Sequence, residues 1–150
     1  MYEKFGQFID GKWQPSEKNE TYEVINPATE EVIGHASKAA PSDVDKALKS
    51  AERGLEVWKQ TPPWQRSYII RRIADKMREK QDVLAKWMTL EVGKPFAEAK
   101  GEVGGAADIF EWNAEETKRI YGQTVESRFA DTRVHVYYQP IGVVAAMTPW

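Results

Sequence analysis

The sequence has 150 residues, enough for one domain with a core of its own. Apolar residues make up 41% and charged residues 29%, and 21 basic against 23 acidic side chains leave a net charge of -2, which argues against binding nucleic acid by bulk electrostatics. No apolar run is long enough to span a membrane, the start Met1–Phe5 lacks a charged-then-apolar leader pattern, and the absence of cysteine excludes disulfides and thiolate metal sites. A cytoplasmic protein with neither membrane nor nucleic-acid partner is the expectation.

The first stretch reads as β structure. Gln7-Phe8-Ile9 and Lys12-Trp13 flank Asp10-Gly11, a pair suited to the positive φ angles of a type I′ hairpin turn. Tyr22 and Val24 alternate with Thr21, Glu23 and Ile25 until Asn26-Pro27 breaks the strand, and Val32–Ala36 reads as its return. Helices follow. Ser42 with Asp45 three residues on suggests a capping box behind Pro41, and Val44, Leu48, Ala51, Leu55 and Trp58 recur at helical spacing. Thr61-Pro62-Pro63 ends that helix and opens the next. Ile69, Ile70, Ile73 and Met77 line one face of the second helix, which Val83, Leu84, Trp87 and Met88 continue after a kink near Gln81-Asp82.

Gly93 caps that stretch, with Pro95 two residues later. A long helix then carries Val103, Ala107, Phe110, Ala114 and Tyr121 on one face and stops at Gly122. Glu126–Thr132 is a loop, and Arg133 to Tyr138 alternates as an exposed strand with Val134, Val136 and Tyr138 on one side. Last comes Pro140-Ile141-Gly142-Val143-Val144-Ala145-Ala146-Met147-Thr148-Pro149-Trp150. An apolar run this short, bounded by Gly and Pro, reads as a buried, parallel strand. Such a strand needs neighbours on both edges, so the expectation is a chain cut inside a larger α/β domain. The cut falls where ligands sit in such sheets, just past the strand ends.

Other groupings read as structural. Gly101, Gly104 and Gly105 lie inside a helical pattern, where close packing explains them better than a phosphate loop. His35 and His135 lack metal-ligand companions at helical spacing. Trp13, Trp58, Trp64, Trp87 and Trp112 are expected in core or interface. Arg66, Arg71, Arg72 and Arg78, with Lys76 and Lys80, read as a solvated helix face interleaved with acids. Glu91, near a helix C-terminus where its charge is unfavourable, reads as a surface acid beside Lys94.

Four motifs in order carry a resemblance: Phe8-Ile9-Asp10-Gly11-Lys12-Trp13, Ile25-Asn26-Pro27-Ala28-Thr29, Leu90–Pro95 with Glu98–Val103, and Pro140–Val144 leading to Thr148-Pro149-Trp150. The chain resembles the N-terminal portion of the NAD(P)-dependent aldehyde dehydrogenases, and Met88–Glu91 through Glu111–Glu116 is most similar to the succinate-semialdehyde branch. The resemblance implies an aldehyde dehydrogenase-like α/β fold. Its parts would be an N-terminal hairpin and helical part over 1–122, an oligomerisation β-hairpin over 123–139, and the first strand of a Rossmann-like cofactor sheet over 140–150.

It further implies oxidation of a small aldehyde with NAD or NADP, in a homodimer or homotetramer. Met147, Thr148, Pro149 and Trp150 would contact the dinucleotide, and a monovalent cation would sit between Glu91 and the carbonyls of Val24 and Ile25. The family's cysteine nucleophile, general-base Glu and oxyanion Asn fall outside these residues. The alternative is a non-catalytic oligomerisation module, favoured by the missing cysteine and the exposed strand.

Overall fold

The computed structural model describes residues 6–148. Two small antiparallel hairpins open the chain. Strand β1 (Gln7–Ile9) pairs with β2 (Lys12–Gln14), with Phe8 opposite Trp13 and their rings 5.2 Å apart. The turn between them takes φ of 55° at Asp10 and 76° at Gly11, the two positive angles that the Asp-Gly pair is suited to supply. Strand β3 (Thr21–Ile25) pairs with β4 (Val32–Ser37), and the register slips between Val24, opposite Gly34, and Ile25, opposite Val32. Ile33 is the extra residue of that bulge.

Helix α1 (Pro41–Gln60) starts two residues earlier than its sequence signal suggests. The N-cap is Ala40, and the reciprocal acid is Asp43 rather than Asp45: its Oδ2 accepts the Ala40 N–H at 3.0 Å. Ser42 instead donates to Glu17 at 2.7 Å. Pro41 explains the shift, because proline is pre-set for the first helical position and pushes the cap back to the residue before it.

Helix α2 (Pro63–Glu79) and helix α3 (Gln81–Val92) are separated at Lys80, so the expected kink is a full break. Gly93 ends α3 at φ 77°, and its N–H reaches the Thr89 carbonyl at 2.9 Å. Helix α4 (Phe96–Glu116) is followed by a short 3-10 turn, Thr117–Arg119. It therefore stops short of Gly122, and Tyr121 lies beyond it, exposed. Val103, Ala107 and Ala114 are buried as their spacing requires, but Phe110 is only partly covered. The side chains at the centre are small: Ala74, Ala85, Ala99, Ala107 and Ala114 are each 0% exposed, which lets α2 and α3 approach α4 closely.

Charge as well as packing joins α2 to α4. Arg71 bridges Glu111 at 2.5 Å and also meets Glu115, while Arg78 bridges Asp108 at 2.7 Å and Glu111 at 2.6 Å. Arg71 and Arg78 thus belong to the interhelical seam rather than to a solvated face. Trp13, Trp64 and Trp112 are largely exposed and Trp87 is half-buried, so the tryptophans do not build the core of these residues. Of Gly101, Gly104 and Gly105, only Gly104 would have a Cβ that meets a neighbour, Gln81 Nε2 at 3.1 Å; the other two face open space. Close packing accounts for one of those three glycines.

Strand β5 (Gln123–Glu126) and strand β6 (Arg133–Val136) form the last hairpin, with Val125 opposite Val134. The strand reading of Tyr137 and Tyr138 does not hold, and residues 140–148 form no strand. No described segment lies beside 140–148 to supply ladder hydrogen bonds, and Val and Ile cannot make a strand without one. The architecture is nonetheless α/β in composition: α2, α3 and α4 around an alanine-rich seam, α1 against the first hairpin, and three two-stranded sheets.

Candidate functional site

Two places gather the residues singled out in the sequence. The first is the terminal segment. Gly142 takes φ 117°, Ile141 is 92% exposed and Met147 97% exposed, and Thr148 is also in solvent. Pro149 and Trp150 lie outside the described residues. The segment presents side chains and unpaired backbone, and both are available to a ligand or to further strands.

The second is the corner between α3 and the β3–β4 turn. Asn26 builds the turn: its Oδ1 accepts the Ala28 N–H at 2.9 Å, its carbonyl accepts from Glu30 at 2.8 Å, and its N–H donates to Glu31 at 2.9 Å. Glu30 takes the left-handed conformation at φ 61°. Gly93 abuts this turn so closely that a Cβ would stand 3.0 Å from Pro27 Cγ. The C-terminal, negative end of α3 is therefore brought to the turn that follows Val24 and Ile25, where the bulge already disturbs the ladder. Val24 is half-buried, whereas Ile25 and Glu91 are exposed. Among the described residues no cluster of three His, Cys, Asp or Glu side chains could hold a metal ion, so a cation here would rest on backbone carbonyls and one carboxylate. Lys94 pairs with Glu102 across the α3–α4 connection.

The β5–β6 hairpin stands apart from both. Every residue of the two strands is exposed, and the face holding Val125, Val134 and Val136 is apolar. His135 Nδ1 lies 3.1 Å from Thr124 Oγ1, and Arg133 bridges Glu126 at 2.9 Å. The histidine is thus held by a cross-strand hydroxyl.

The perturbed charges belong to the scaffold. Hydrogen bonds from Arg78 and then Arg71 hold the Glu111 carboxyl below the usual range, and Lys118 and Arg71 do the same for Glu115. The matching guanidinium groups are pushed up, Arg71 by Glu115 and Glu111 and Arg78 by Asp108 and Glu111. Sequence reasoning missed this seam, although Arg71 and Arg78 recur seven apart and Asp108, Glu111 and Glu115 at three and four, the spacings that put each set on one helix face. No thiol is present to act as a nucleophile.

The family model described as the aldehyde dehydrogenase family matches residues 13–150. Glutarate-semialdehyde dehydrogenase of Pseudomonas aeruginosa is 45% identical over 143 residues, which is 95% of this chain and 30% of that protein. Succinate-semialdehyde dehydrogenase [NADP(+)] of Escherichia coli is 45% identical over 142 residues, again 95% of this chain and 30% of the relative. Among solved structures, succinate-semialdehyde dehydrogenase from Burkholderia pseudomallei superposes with a TM-score of 0.85 at 39% identity, covering 89% of this chain and 28% of that one. The chain thus spans about a third of the length of the curated relatives it matches. With its motifs in order and its fold superposing at this identity, the chain belongs to the aldehyde dehydrogenase family.

Proposed function

We propose that the chain serves as the N-terminal portion of an NAD(P)-dependent aldehyde dehydrogenase that oxidises a small aldehyde, a four- or five-carbon semialdehyde being the best candidate, to the carboxylic acid. The observation that carries this reading is the 45% identity to two semialdehyde dehydrogenases over nearly the whole chain. In that reaction the dinucleotide supplies the hydride acceptor. These 150 residues supply neither nucleophile, general base nor oxyanion donor; their part is structural and cofactor-binding. Met147, Thr148, Pro149 and Trp150 would line the dinucleotide site at the end of the first strand of the cofactor sheet, a strand that forms once neighbouring strands pair with it. Glu91 with the carbonyls of Val24 and Ile25 would hold a monovalent cation. The apolar face of the β5–β6 hairpin would pack on a second subunit in a homodimer or homotetramer, since a two-stranded arm is marginal alone in water.

The test compares the 150-residue chain with the longer polypeptide its gene encodes. The chain should form no NAD(P)H from succinic or glutaric semialdehyde, while the longer protein should, and Trp150→Ala in the latter should weaken cofactor binding by calorimetry without unfolding it. A reading frame that stops after Trp150, or a longer protein inert towards aldehydes, would overturn the proposal. The full exposure of the β5–β6 strands favours a second reading, an assembly module without chemistry, and a frame ending at Trp150 would leave that one standing.

A further inference from the structure

Arg66 is the anomaly among the charged side chains. Every other arginine of the described residues has an acidic or aromatic partner: Arg53, Arg71, Arg78, Arg119 and Arg133 pair with carboxylates, while Arg72 and Arg128 lie over rings. The Nε of Arg66 is shielded from solvent and has no hydrogen-bond partner. A donor on a permanently charged group, buried and unmatched, is among the costlier arrangements a side chain can adopt.

Its position adds to the cost. Arg66 lies in the first turn of α2, its own N–H bonded to the Pro62 carbonyl at 3.0 Å. That end of a helix carries the positive pole, which repels a cation. The first turn contains no acid and the cap offers no side-chain acceptor. The first acid on α2 is Asp75, nine positions on and therefore about 13 Å along the axis. On the neighbouring end of α4, Glu115 is committed to Arg71 and Lys118, and Glu116 to Arg119.

What adjoins Arg66 shows what kind of group would relieve it. Arg66, Ile70, Ile73 and Met77 follow at spacings of four, three and four, one stripe along α2. Ile73 is 41% exposed, and with Ile69, Met77 and Leu84 it floors an open groove of about 500 Å³ that Arg72, Lys76 and Lys80 edge, beginning beyond Arg66 and Ile70 on the same helix. A groove with an apolar floor and cationic edges, on the helix whose start holds the unmatched Arg66 Nε, calls for an apolar segment that bears an anionic group at the Arg66 end. A carbonyl would satisfy the N–H but not the charge; a carboxylate satisfies both, and suits the planar guanidinium fork.

We infer that Arg66 is a docking anchor: it receives an Asp or Glu carboxylate from an apolar segment of the same polypeptide, outside these 150 residues, that lies along the Ile70–Met77 stripe. This rests on the reading of the chain as the N-terminal portion of a longer dehydrogenase, which the relatives exceed more than threefold in length.

The test is a change of sign between two contexts, read as thermal midpoints. In the longer protein, Arg66→Met should lower the midpoint by several degrees, Arg66→Lys should recover part of the loss by keeping the charge, and Arg66→Gln should recover less. In the 150-residue chain, Arg66→Met should leave the midpoint unchanged or raise it, because it removes an unmatched charge. If Arg66→Met makes the longer protein insoluble while the 150-residue variant stays as folded as its parent, the anchor is equally supported. Equal destabilisation in both contexts would overturn it in favour of a role internal to α2, as would no effect in either. Recovery by Arg66→Gln as good as by Arg66→Lys would overturn the carboxylate. Dehydrogenase activity of the unmutated longer protein is measured alongside: an active enzyme indifferent to Arg66 removes the anchor alone, whereas an inactive one removes the functional reading.

Discussion

The carboxylate of Asp43 receives N–H groups from three separate segments of chain. Its Oδ2 accepts from Ala40 at 3.0 Å, from the backbone of Glu17 at 3.1 Å and from the side chain of Gln7 at 3.3 Å. One atom thereby ties the first hairpin and the β2–β3 connection to the start of α1, and the side chain is 4% exposed. The Ala40 and Glu17 N–H groups hold its pKa below the ordinary value, because they bond the charged form. The sign for stability follows: the contribution is present above the unfolded-state pKa of about 3.9 and is lost as pH falls through the lower folded value. Asp43→Asn should therefore destabilise the chain at neutral pH and flatten the acid limb of its stability profile below about pH 4. Urea midpoints measured from neutral to acid pH check this; a variant whose acid limb matches the parent's would remove Asp43 from the account. Composition could not single out this acid from Asp45, since both follow a proline-led helix start. What decides between them is Pro41 at the first helical position, which puts the reciprocal acid at Asp43.

At the scale of elements, α2 and α4 meet through small side chains and opposed charges. Ala74 on α2 and Ala107 and Ala114 on α4 leave no free surface, so added volume cannot be absorbed without moving a helix. Ala107→Leu should cost about 1–3 kcal/mol by overpacking. The helices should remain by circular dichroism while the unfolding midpoint falls; an unchanged midpoint would mean the seam yields at that point. The hairpins and helices were legible in the sequence because their signals are local: Asp10-Gly11 for the first turn, Gly93 for a left-handed cap, apolar spacing of three and four for the helix faces. The end of α4 was not, since Tyr121 continues the apolar period past the point where the backbone tightens at Thr117–Arg119. The Arg71–Glu111–Arg78 seam was equally hidden. Spacing shows which charges share a face, but only the packing of two helices shows that the faces meet.

For the whole molecule, the exposed area is the governing quantity. The folded chain leaves 11636 Å² accessible. A compact monomer of its 17.2 kDa mass would expose about 7800 Å² and its unfolded chain about 25000 Å². Folding thus hides only about half of the unfolded surface, less than even a 60-residue domain manages at about 60%. The excess is apolar in part, with Val57, Trp64, Ile109, Trp112, Ile141 and Met147 all more than half exposed. On the proposed reading this is the area a surrounding body would cover, and the strand expected over 140–150, which is unformed over 140–148, would form there by pairing with elements outside it. The denaturant slope scales with the area uncovered on unfolding, so the 150-residue chain should unfold with a shallower urea dependence than an ordinary domain of its length, by roughly a quarter. It should also bind a hydrophobic dye in the absence of denaturant, as surfaces of this kind do. In the longer protein the slope per residue should return to the ordinary value and the dye signal should fall. A steep, cooperative transition of the 150-residue chain with no dye binding would show that it buries its apolar faces unaided, and the account of those faces as contact surfaces would fail.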